Sequence, residues 1–283
     1  MKKIAIVGTV RNVESSLRRI YKVLQKSFNL FEDIRFFLVE SDSTDRTLAE
    51  LELLKTENRN FDYVSLGNLD CLFPVRTMRM ARVRNEYLHE IQSNPLYSGC
   101  DYVAVADFDE VNSRLTSKAV ASCFTRNDWD GVFANQKKRY YDIYALRHTD
   151  WSPTDPFFEF NALIESGVGK KVAWNQAVLR KQRRIPSRGE WISVQSAFGG
   201  LAIYKRSFLE GRRYSGLTPQ GLEICEHVPF HTSADSEVAL YINPSLINSY
   251  WTRHTSQHRF SRRIVHASPF LVRLAQATRE RNS

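Results

Sequence analysis

The chain has 283 residues, of which 42% are hydrophobic and 25% charged, and its formal net charge is +9. This is the composition of an ordinary globular protein, and no run of about 18 apolar residues is present to form a membrane-spanning helix. The four cysteines are widely separated and form no C-x-x-C pair. Their spacing argues against a zinc ribbon or a disulfide scaffold and favours reduced thiols in the cytoplasm. The positive charge favours phosphate-bearing partners or anionic membranes.

Strand and helix patterns alternate in the first half of the chain. Apolar runs predict strands, and apolar residues at steps of three and four predict amphipathic helices. The predicted strands cover residues 3–10, 34–40, 61–66, 102–106 and 130–135. The helices between them cover 13–28, from about 45 to 55, about 77–92, and from Ser113 or Thr116 to about 124, with Asn12 as a cap of the first. This alternation predicts an α/β fold with a mostly parallel central sheet flanked by helices.

The second half is less regular. Residues 149–189 are rich in loop-forming residues, including three prolines, and predict a loop. Strand or extended segments are predicted over 140–148, 191–205, 223–231 and 240–251. The segment over 191–205 contains Gly199-Gly200, and paired glycines in a strand indicate a bulge or a close approach of the backbone to another group.

The acidic end of the strand over 102–106 is the main chemical signal. Asp107 and Asp109 follow this apolar run, with Phe108 between them. Because side chains alternate along extended backbone, the two carboxylates point the same way and repel each other. Mg²⁺ or Mn²⁺ is typically held by one or two carboxylates together with phosphate oxygens. The pattern therefore predicts a divalent cation site, and a solvated acidic turn is the alternative.

Three polar strand ends are expected to face one crevice, because ligands collect at the carboxyl ends of parallel strands. They are the ends at residues 8–12, 40–45 and 107–109. Glu40 and Asp42 are candidates to accept hydrogen bonds from a ribose or a base, with helix capping as the alternative for this stretch. The absence of G-x-x-x-x-G-K-[ST] and G-x-G-x-x-G excludes a P-loop and disfavours a dinucleotide site.

Three arginines of the predicted helix over 77–92, Arg79, Arg82 and Arg84, are candidates to contact a diphosphate. Arg79 and Arg82 are three residues apart and therefore share a helix face, from which a guanidinium can bind phosphate with two hydrogen bonds. The alternative is a solvated basic face.

Further catalytic and metal-binding candidates lie in the second half. His231 is a candidate to complete the cation site, with simple packing as the alternative. Glu226 is the first candidate for a base acting on an acceptor hydroxyl, ahead of Asp142 and Glu223.

Four stretches occur in an order that resembles GT-A glycosyltransferases, and most closely the fungal capsule-associated α-1,3-mannosyltransferase family. They are Glu40-Ser-Asp-Ser-Thr-Asp-Arg-Thr47, Met80-Ala-Arg-Val-Arg-Asn-Glu-Tyr87, Val105-Ala-Asp-Phe-Asp109 and Tyr141-Asp-Ile-Tyr-Ala-Leu-Arg147. Residues 196–203 and 225–231 are similar to later blocks of that family, so the resemblance covers about residues 4–231.

The resemblance implies a GT-A fold and transfer of a sugar from a nucleoside diphosphate sugar, a GDP- or UDP-sugar, to a glycan or lipid-linked acceptor. It favours a retaining reaction and a role in capsule or cell-surface polysaccharide synthesis. The cation would be bound by Asp107 and Asp109, with His231 as a further ligand, and Asp109 would also act in catalysis. The donor would be bound by Gly8, Thr9, Val10, Arg11, Glu40, Asp42, Asp107 and an arginine of the 79–84 helix. Gly199 and Gly200 are placed close to the donor sugar or the acceptor.

We expect one domain with two functional halves. Residues 1–135 form the donor-binding half, 136–252 the acceptor-binding and catalytic half, and 253–283 an arginine-rich tail. The tail is expected either to contact an anionic membrane at its cytoplasmic face or to form a solvated or oligomer-forming helix. Two other functions stay open: a nucleotidyltransferase acting on sugar phosphates, and a basic module that binds nucleic acid or phosphoglycan. No specific nucleic acid is expected.

Overall fold

The computed structural model describes residues 2–233 and 238–250. The strands in these ranges are β1 (Lys3–Val10), β2 (Asp33–Glu40), β3 (Phe61–Ser65), β4 (Tyr102–Ala106), β5 (Gly131–Gln136), β6 (Ile192–Ser193), β7 (Leu201–Lys205) and β8 (Leu240–Ser249). The α-helices are α1 (Leu17–Ser27), α2 (Thr47–Glu57), α3 (Arg76–Ser93), α4 (Ser117–Ala121), α5 (Pro156–Glu165), α6 (Lys170–Ala177) and α7 (His227–Thr232).

All eight of these strands form one sheet, in the order β3-β2-β1-β4-β7-β5-β8-β6. β3, β2, β1 and β4 pair in parallel, and so do β5 and β8. β7 is antiparallel to both of its neighbours, and β6 is antiparallel to β8. The predicted α/β fold with a mostly parallel central sheet flanked by helices is confirmed.

Helices cover both faces of the sheet. Alternate residues of β1 point to opposite faces, with Ala5 and Val7 in one apolar core and Ile4 and Ile6 in the other. The first core includes apolar residues of α3, and the second includes those of α1, α2 and α4. With both faces covered, ligand-binding groups are left to the edges of the sheet and the loops there.

The prediction was wrong in three places after residue 136. Residues 140–148 are not a strand, and residues 223–231 end in α7 rather than continuing extended. The predicted loop over 149–189 contains α5 and α6. Pro156 stands at the start of α5, where it needs no hydrogen-bond partner, and the Asp155 side chain accepts hydrogen bonds from the N–H groups of Phe157 and Phe158. The proline therefore begins a helix here rather than marking a loop.

The predicted basic tail over 253–283 lies outside the described residues. Within the described ranges, no helix has the length and apolar character needed to cross a membrane.

Candidate functional site

The acidic pair lies beside the ends of β1 and β2. We call this edge of the sheet, where the parallel strands β1, β2 and β4 end, the carboxyl edge. Val10 at the end of β1 is in register with Glu40 at the end of β2, and β1 also pairs with β4, which ends just before Asp107. The backbone N–H of Asp107 donates to the carbonyl of Gly200 at 2.9 Å. Phe108 is 1% exposed, whereas Asp109 is exposed. Phe108 packs in the same core as Ala104 and Ala106, so the predicted alternation continues as far as Phe108.

Gly8 makes this close packing possible. A Cβ atom at Gly8 would lie 2.4 Å from the carbonyl oxygen of Ala106 and 2.9 Å from the Phe108 ring. Thr9 is partly buried, and Val10 is 3% exposed in the core. Two residues of the predicted donor-binding stretch over 8–11, Gly8 and Val10, therefore pack inside the protein.

Acidic groups are concentrated around Asp107. Burial, followed by the charge of Asp109, raises the pKa of Asp107 to about 8. Asp142 and Glu226 raise this pKa further, while the positive charge of Arg84 lowers it. The site therefore gathers four carboxyl groups near one buried guanidinium, which makes the ionised form of Asp107 unfavourable.

The carboxylates suit a hard divalent cation. A cation between Asp107 and Asp109 would relieve the repulsion that raises the pKa of Asp107. In the described part of the chain, no group of three or more His, Cys, Asp and Glu residues is arranged to hold a metal. Mg²⁺ and Mn²⁺ do not need one, because water and substrate phosphates complete their coordination. The two aspartates therefore fit a cation shared with a bound diphosphate.

Arg84 is the arginine of α3 that faces the acids. Its Nε donates to Glu226 Oε1 at 2.9 Å, and the two side chains are 4% and 6% exposed. Its guanidinium lies 5.1 Å from the ring centroid of Phe198. The prediction favoured Arg79 and Arg82, but Arg82 pairs with Glu86 on the outer face of α3. The helical spacing predicts that Arg84 lies on the buried face of α3, because it is three residues before Tyr87 and seven before Ile91, which are both buried.

A second charged cluster joins the ends of β1 and β2 to the start of α3. Asp70 pairs with Arg11 at 3.3 Å and with Arg79 at 3.0 Å. Asp42, which has a φ of 59°, accepts hydrogen bonds from the backbone N–H groups of Leu69 and Asp70. Desolvation opposes the effect, but these N–H groups hold the pKa of Asp42 below its usual value. The sequence prediction included Arg11, Asp42 and Arg79 but not Asp70, which holds both arginines.

The side chains of Glu40 and Asn12 accept hydrogen bonds from neighbouring segments of the protein. Glu40 is 1% exposed, and its two carboxylate oxygens accept hydrogen bonds from Ser43 N–H and from the Ser65 hydroxyl. The Asn12 side-chain oxygen accepts from the N–H of Thr44 at 2.7 Å and does not cap α1, which begins after Ser16. We therefore do not retain Glu40 as a contact to the donor.

Gly199 and Gly200 position acidic residues rather than opening space for a ligand. Both have positive φ, 68° and 84°. A Cβ at Gly200 would lie 2.1 Å from Val111 Cγ1, and the N–H of Gly199 donates to Asp142 Oδ2 at 3.1 Å. The predicted close approach of the backbone is thus to Val111, with Asp142 anchored beside it.

Buried side-chain amides donate hydrogen bonds to the carbonyls of the same glycines. Asn112 Nδ2 donates to the carbonyls of Asp107 and Gly200, both at 2.8 Å. Asn248 Nδ2 donates to Asn112 Oδ1 at 2.9 Å and to the Gly199 carbonyl at 2.8 Å. These residues, which the sequence prediction did not include, link the acidic end of β4 to the ends of β7 and β8.

His231 has a structural environment. It is 1% exposed, with Nδ1 2.8 Å from Ser196 Oγ and Nε2 2.8 Å from the Tyr204 hydroxyl. Because the Ser196 hydroxyl donates to the carbonyl of Ala145, Nδ1–H donates to Ser196 and Nε2 accepts from Tyr204. Burial, followed by the charges of Arg212 and Arg84, lowers the pKa of His231 to about 3. Both ring nitrogens of this neutral histidine are used, so we do not retain it as a metal ligand.

A separate cleft of about 510 Å³ lies toward the opposite edge of the sheet. The backbone N–H of Val194, in the wall of the cleft, donates to the carbonyl of Leu240 at the start of β8. Leu240 is in register with Gly131 at the start of β5. The cleft is therefore distant from the carboxyl edge that carries Asp107.

No family model and no curated protein matches the chain. Similar solved structures include residues 1–349 of TarS from S. aureus, at 14% identity and a TM-score of 0.46, covering 86% of this chain and 58% of that one. Mannosyltransferase PcManGT from Pyrobaculum calidifontis, in complex with GDP-Man and Mn²⁺, has 14% identity and a TM-score of 0.48, covering 98% and 64%. This chain spans less than two thirds of either protein's length. These identities and TM-scores are too low to infer the ligands of this chain from those of the two proteins.

Proposed function

We propose that the protein is a metal-dependent glycosyltransferase that moves a sugar from a nucleoside diphosphate sugar to a hydroxyl of a glycan or lipid-linked acceptor. The observation that carries the proposal is the gathering of Asp107, Asp109 and Asp142 at the carboxyl edge, where β1, β2 and β4 end. Ligands of α/β sheets bind at such edges. A nucleic-acid-binding module would not require this concentration of carboxyl groups.

The reaction needs stabilisation of the negative charge that grows on the leaving diphosphate. When bound by Asp107 and Asp109, Mn²⁺ or Mg²⁺ would supply most of that stabilisation as a Lewis acid. Arg11 and Arg79, held together by Asp70, are our candidates to bind the donor phosphates from the ends of β1 and α3. Arg84 is buried and adds a fixed positive charge beside the carboxylates.

We place the acceptor base at Asp142 rather than at Glu226. Glu226 is 5% exposed and paired with Arg84, so its role is to orient that guanidinium. Asp142 is partly exposed, and the N–H of Gly199 holds one of its oxygens. In an inverting reaction Asp142 would accept the acceptor proton, whereas a retaining reaction needs no base at that position. The anomeric configuration of the product, measured by NMR, distinguishes these two reactions.

We assign donor binding and acceptor binding to different halves of the chain. In our proposal residues 1–135 bind the donor, and residues 136–252 supply the acceptor side and Asp142. The resemblance to the fungal capsule-associated mannosyltransferases makes GDP-mannose the first donor to test and favours a retaining reaction. It also suggests a role in capsule or cell-surface polysaccharide synthesis.

The direct test is a thermal-shift screen with UDP-, GDP- and CDP-sugars, with and without Mn²⁺. We expect one nucleotide sugar to raise the melting temperature in a manner that depends on Mn²⁺, because binding to the folded state stabilises it. Asp109→Ala should abolish this dependence and lower sugar transfer and donor hydrolysis by about a hundredfold or more.

Asp128→Ala is the matched control, because it removes an exposed carboxylate at the opposite edge, just before β5. Near-normal turnover of Asp109→Ala under Mn²⁺ would remove the metal from the mechanism. Release of pyrophosphate instead of a nucleoside diphosphate would identify a nucleotidyltransferase.

A further inference from the structure

The carboxyl edge continues beyond the acidic site across β7 and β5 to β8. β8 is three strands away from β4 in the sheet order, and the Asn248 side chain near its end donates to Asn112, whose amide in turn donates to the carbonyl of Asp107. The end of β5 lies beside it, since Gln136 is in register with Ser249. A group bound there lies on the side of β4 opposite to β1 and β2, whereas Arg11 and Arg79 lie on the β1 and β2 side.

Two exposed basic residues lie beside one aromatic ring at this part of the edge. The backbone N–H of Arg114 donates to Asn248 at 3.0 Å, and that of Lys137 donates to Ser249 at 2.9 Å. The Arg114 guanidinium lies 5.6 Å and the Lys137 ammonium 5.9 Å from the ring centroid of Tyr250. Tyr250 is 49% exposed. We name these three residues, together with the exposed Lys138 and Arg139 that follow Lys137 in the sequence, the edge patch.

The edge patch is joined to the acidic site by the backbone and by buried amides. Arg114 is two residues after Asn112, whose side-chain amide donates to the carbonyl of Asp107. The Asn248 side chain donates to Asn112, and the backbone carbonyl of Asn248 accepts from the N–H of Arg114. Two acids are close in sequence to the patch: Glu110 pairs with Arg19 at 2.8 Å, and Asp142 accepts from the N–H of Gly199. The patch is thus a positively charged surface held next to the carboxylates.

We propose that the edge patch binds a phosphate group carried by the acceptor, with the Tyr250 ring packing against an adjacent sugar. This rests on the proposed function, since it names the acceptor of that same site. Repulsion between the clustered cations is relieved by an anion, and guanidinium and ammonium groups bind phosphate oxygens through charge-assisted hydrogen bonds. The aromatic ring supplies an apolar face beside them. The phosphate belongs either to a soluble phosphorylated glycan or to a lipid headgroup.

The test measures binding of mannose 6-phosphate and of mannose to the full chain by calorimetry at low salt. The variant is Arg114→Gln with Lys137→Gln, and the matched control is Lys170→Gln with Lys171→Gln, which removes two exposed charges from α6. We expect mannose 6-phosphate to bind more tightly than mannose, and the edge-patch variant to weaken it about tenfold. Tyr250→Leu should weaken mannose 6-phosphate but leave binding of inorganic phosphate unchanged. Equal binding of the two sugars, or equal weakening in the control, overturns the proposal.

Sedimentation with vesicles distinguishes the two sources of phosphate. Vesicles of equal parts phosphatidylcholine and phosphatidylglycerol are compared with phosphatidylcholine alone. If the edge-patch variant lowers sedimentation with the anionic vesicles relative to the control variant, a lipid headgroup is the source. If it weakens only the soluble sugar phosphate, a phosphorylated glycan is the source.

The nucleotide thermal shift separates this proposal from the proposed function. We expect the edge-patch variant to keep the full shift with nucleotide sugar. Loss of that shift would assign the patch to the donor site and overturn the acceptor proposal. If the wild type binds mannose 6-phosphate through the patch yet shows no shift with any nucleotide sugar, the proposed function fails and the anion site stands.

Discussion

Two titratable residues, the partly buried Asp107 and the buried His231, differ in how their surroundings treat them. Each ring nitrogen of His231 lies 2.8 Å from a hydroxyl, and burial keeps the ring neutral with a pKa of about 3. Asp107 has acidic neighbours instead, and burial together with Asp109 raises its pKa to about 8. A polar group whose hydrogen bonds are complete stabilises the fold, whereas a collection of like charges has a use only when a ligand of opposite charge binds. On this ground we place the function at Asp107.

The largest expected effect on stability is at Arg84. Arg84→Ala would leave Glu226 buried without its ion-pair partner, since both side chains are at most 6% exposed. We expect the free energy of unfolding to fall by about 3–5 kcal/mol, measured by urea denaturation. The double variant Arg84→Met with Glu226→Gln should be less destabilised than Arg84→Ala. Equal losses in the two variants would show that the pair is not the source of the effect.

His231→Asn separates the structural role from the metal role. It should lower the free energy of unfolding by about 2–4 kcal/mol, because the Ser196 and Tyr204 hydroxyls lose buried partners. The affinity for Mn²⁺, measured by calorimetry, should stay unchanged. A loss of Mn²⁺ affinity without a change in stability would make His231 a ligand and contradict the comparison.

The pH dependence of Mn²⁺ binding sharpens the comparison at Asp107. Its raised pKa of about 8 means that a cation must displace a proton below that pH. The affinity should therefore increase about tenfold for each unit from pH 6 to pH 8 and level off above it. Without metal, the folded state binds the extra proton, so stability should fall as pH rises through this range, and Asp107→Asn should flatten that slope. A Mn²⁺ affinity that is constant from pH 6 to pH 8 would contradict the raised pKa.

The smallest effect is expected at Arg82, which the sequence prediction included in the donor site. Its partner Glu86 is four residues away on the outer face of α3, and the Arg82 side chain is 41% exposed. Arg82→Ala should lower the free energy of unfolding by about 0.5 kcal/mol or less and leave the nucleotide thermal shift unchanged. Arg79→Ala is the matched comparison, and we expect it to reduce the shift. Equal effects of the two variants would return Arg82 to the site.

The first half of the fold was predictable because its signals are local. Tyr102 to Ala106 is a strand at the predicted limits, and the predicted helix over 77–92 corresponds to α3 (Arg76–Ser93). The second half was not predictable in the same way. Tyr140 and Ala145 are fully buried in an irregular segment, so their apolar character reflects long-range packing rather than a strand. In α7 the prediction of extended structure failed because six residues are too few to show a helical period.

The sequence by itself determined the position of the acidic pair and the faces of the helices, because alternation and helical spacing connect residues only a few positions apart. Tertiary structure decided the partners. Asp70 joins Arg11 to Arg79, Arg84 meets Glu226 across 142 positions, and Gly200 packs on Val111. Such contacts join distant segments whose separation no local pattern encodes. For that reason the sequence indicated where the charges are, and the packed chain shows which of them are already neutralised.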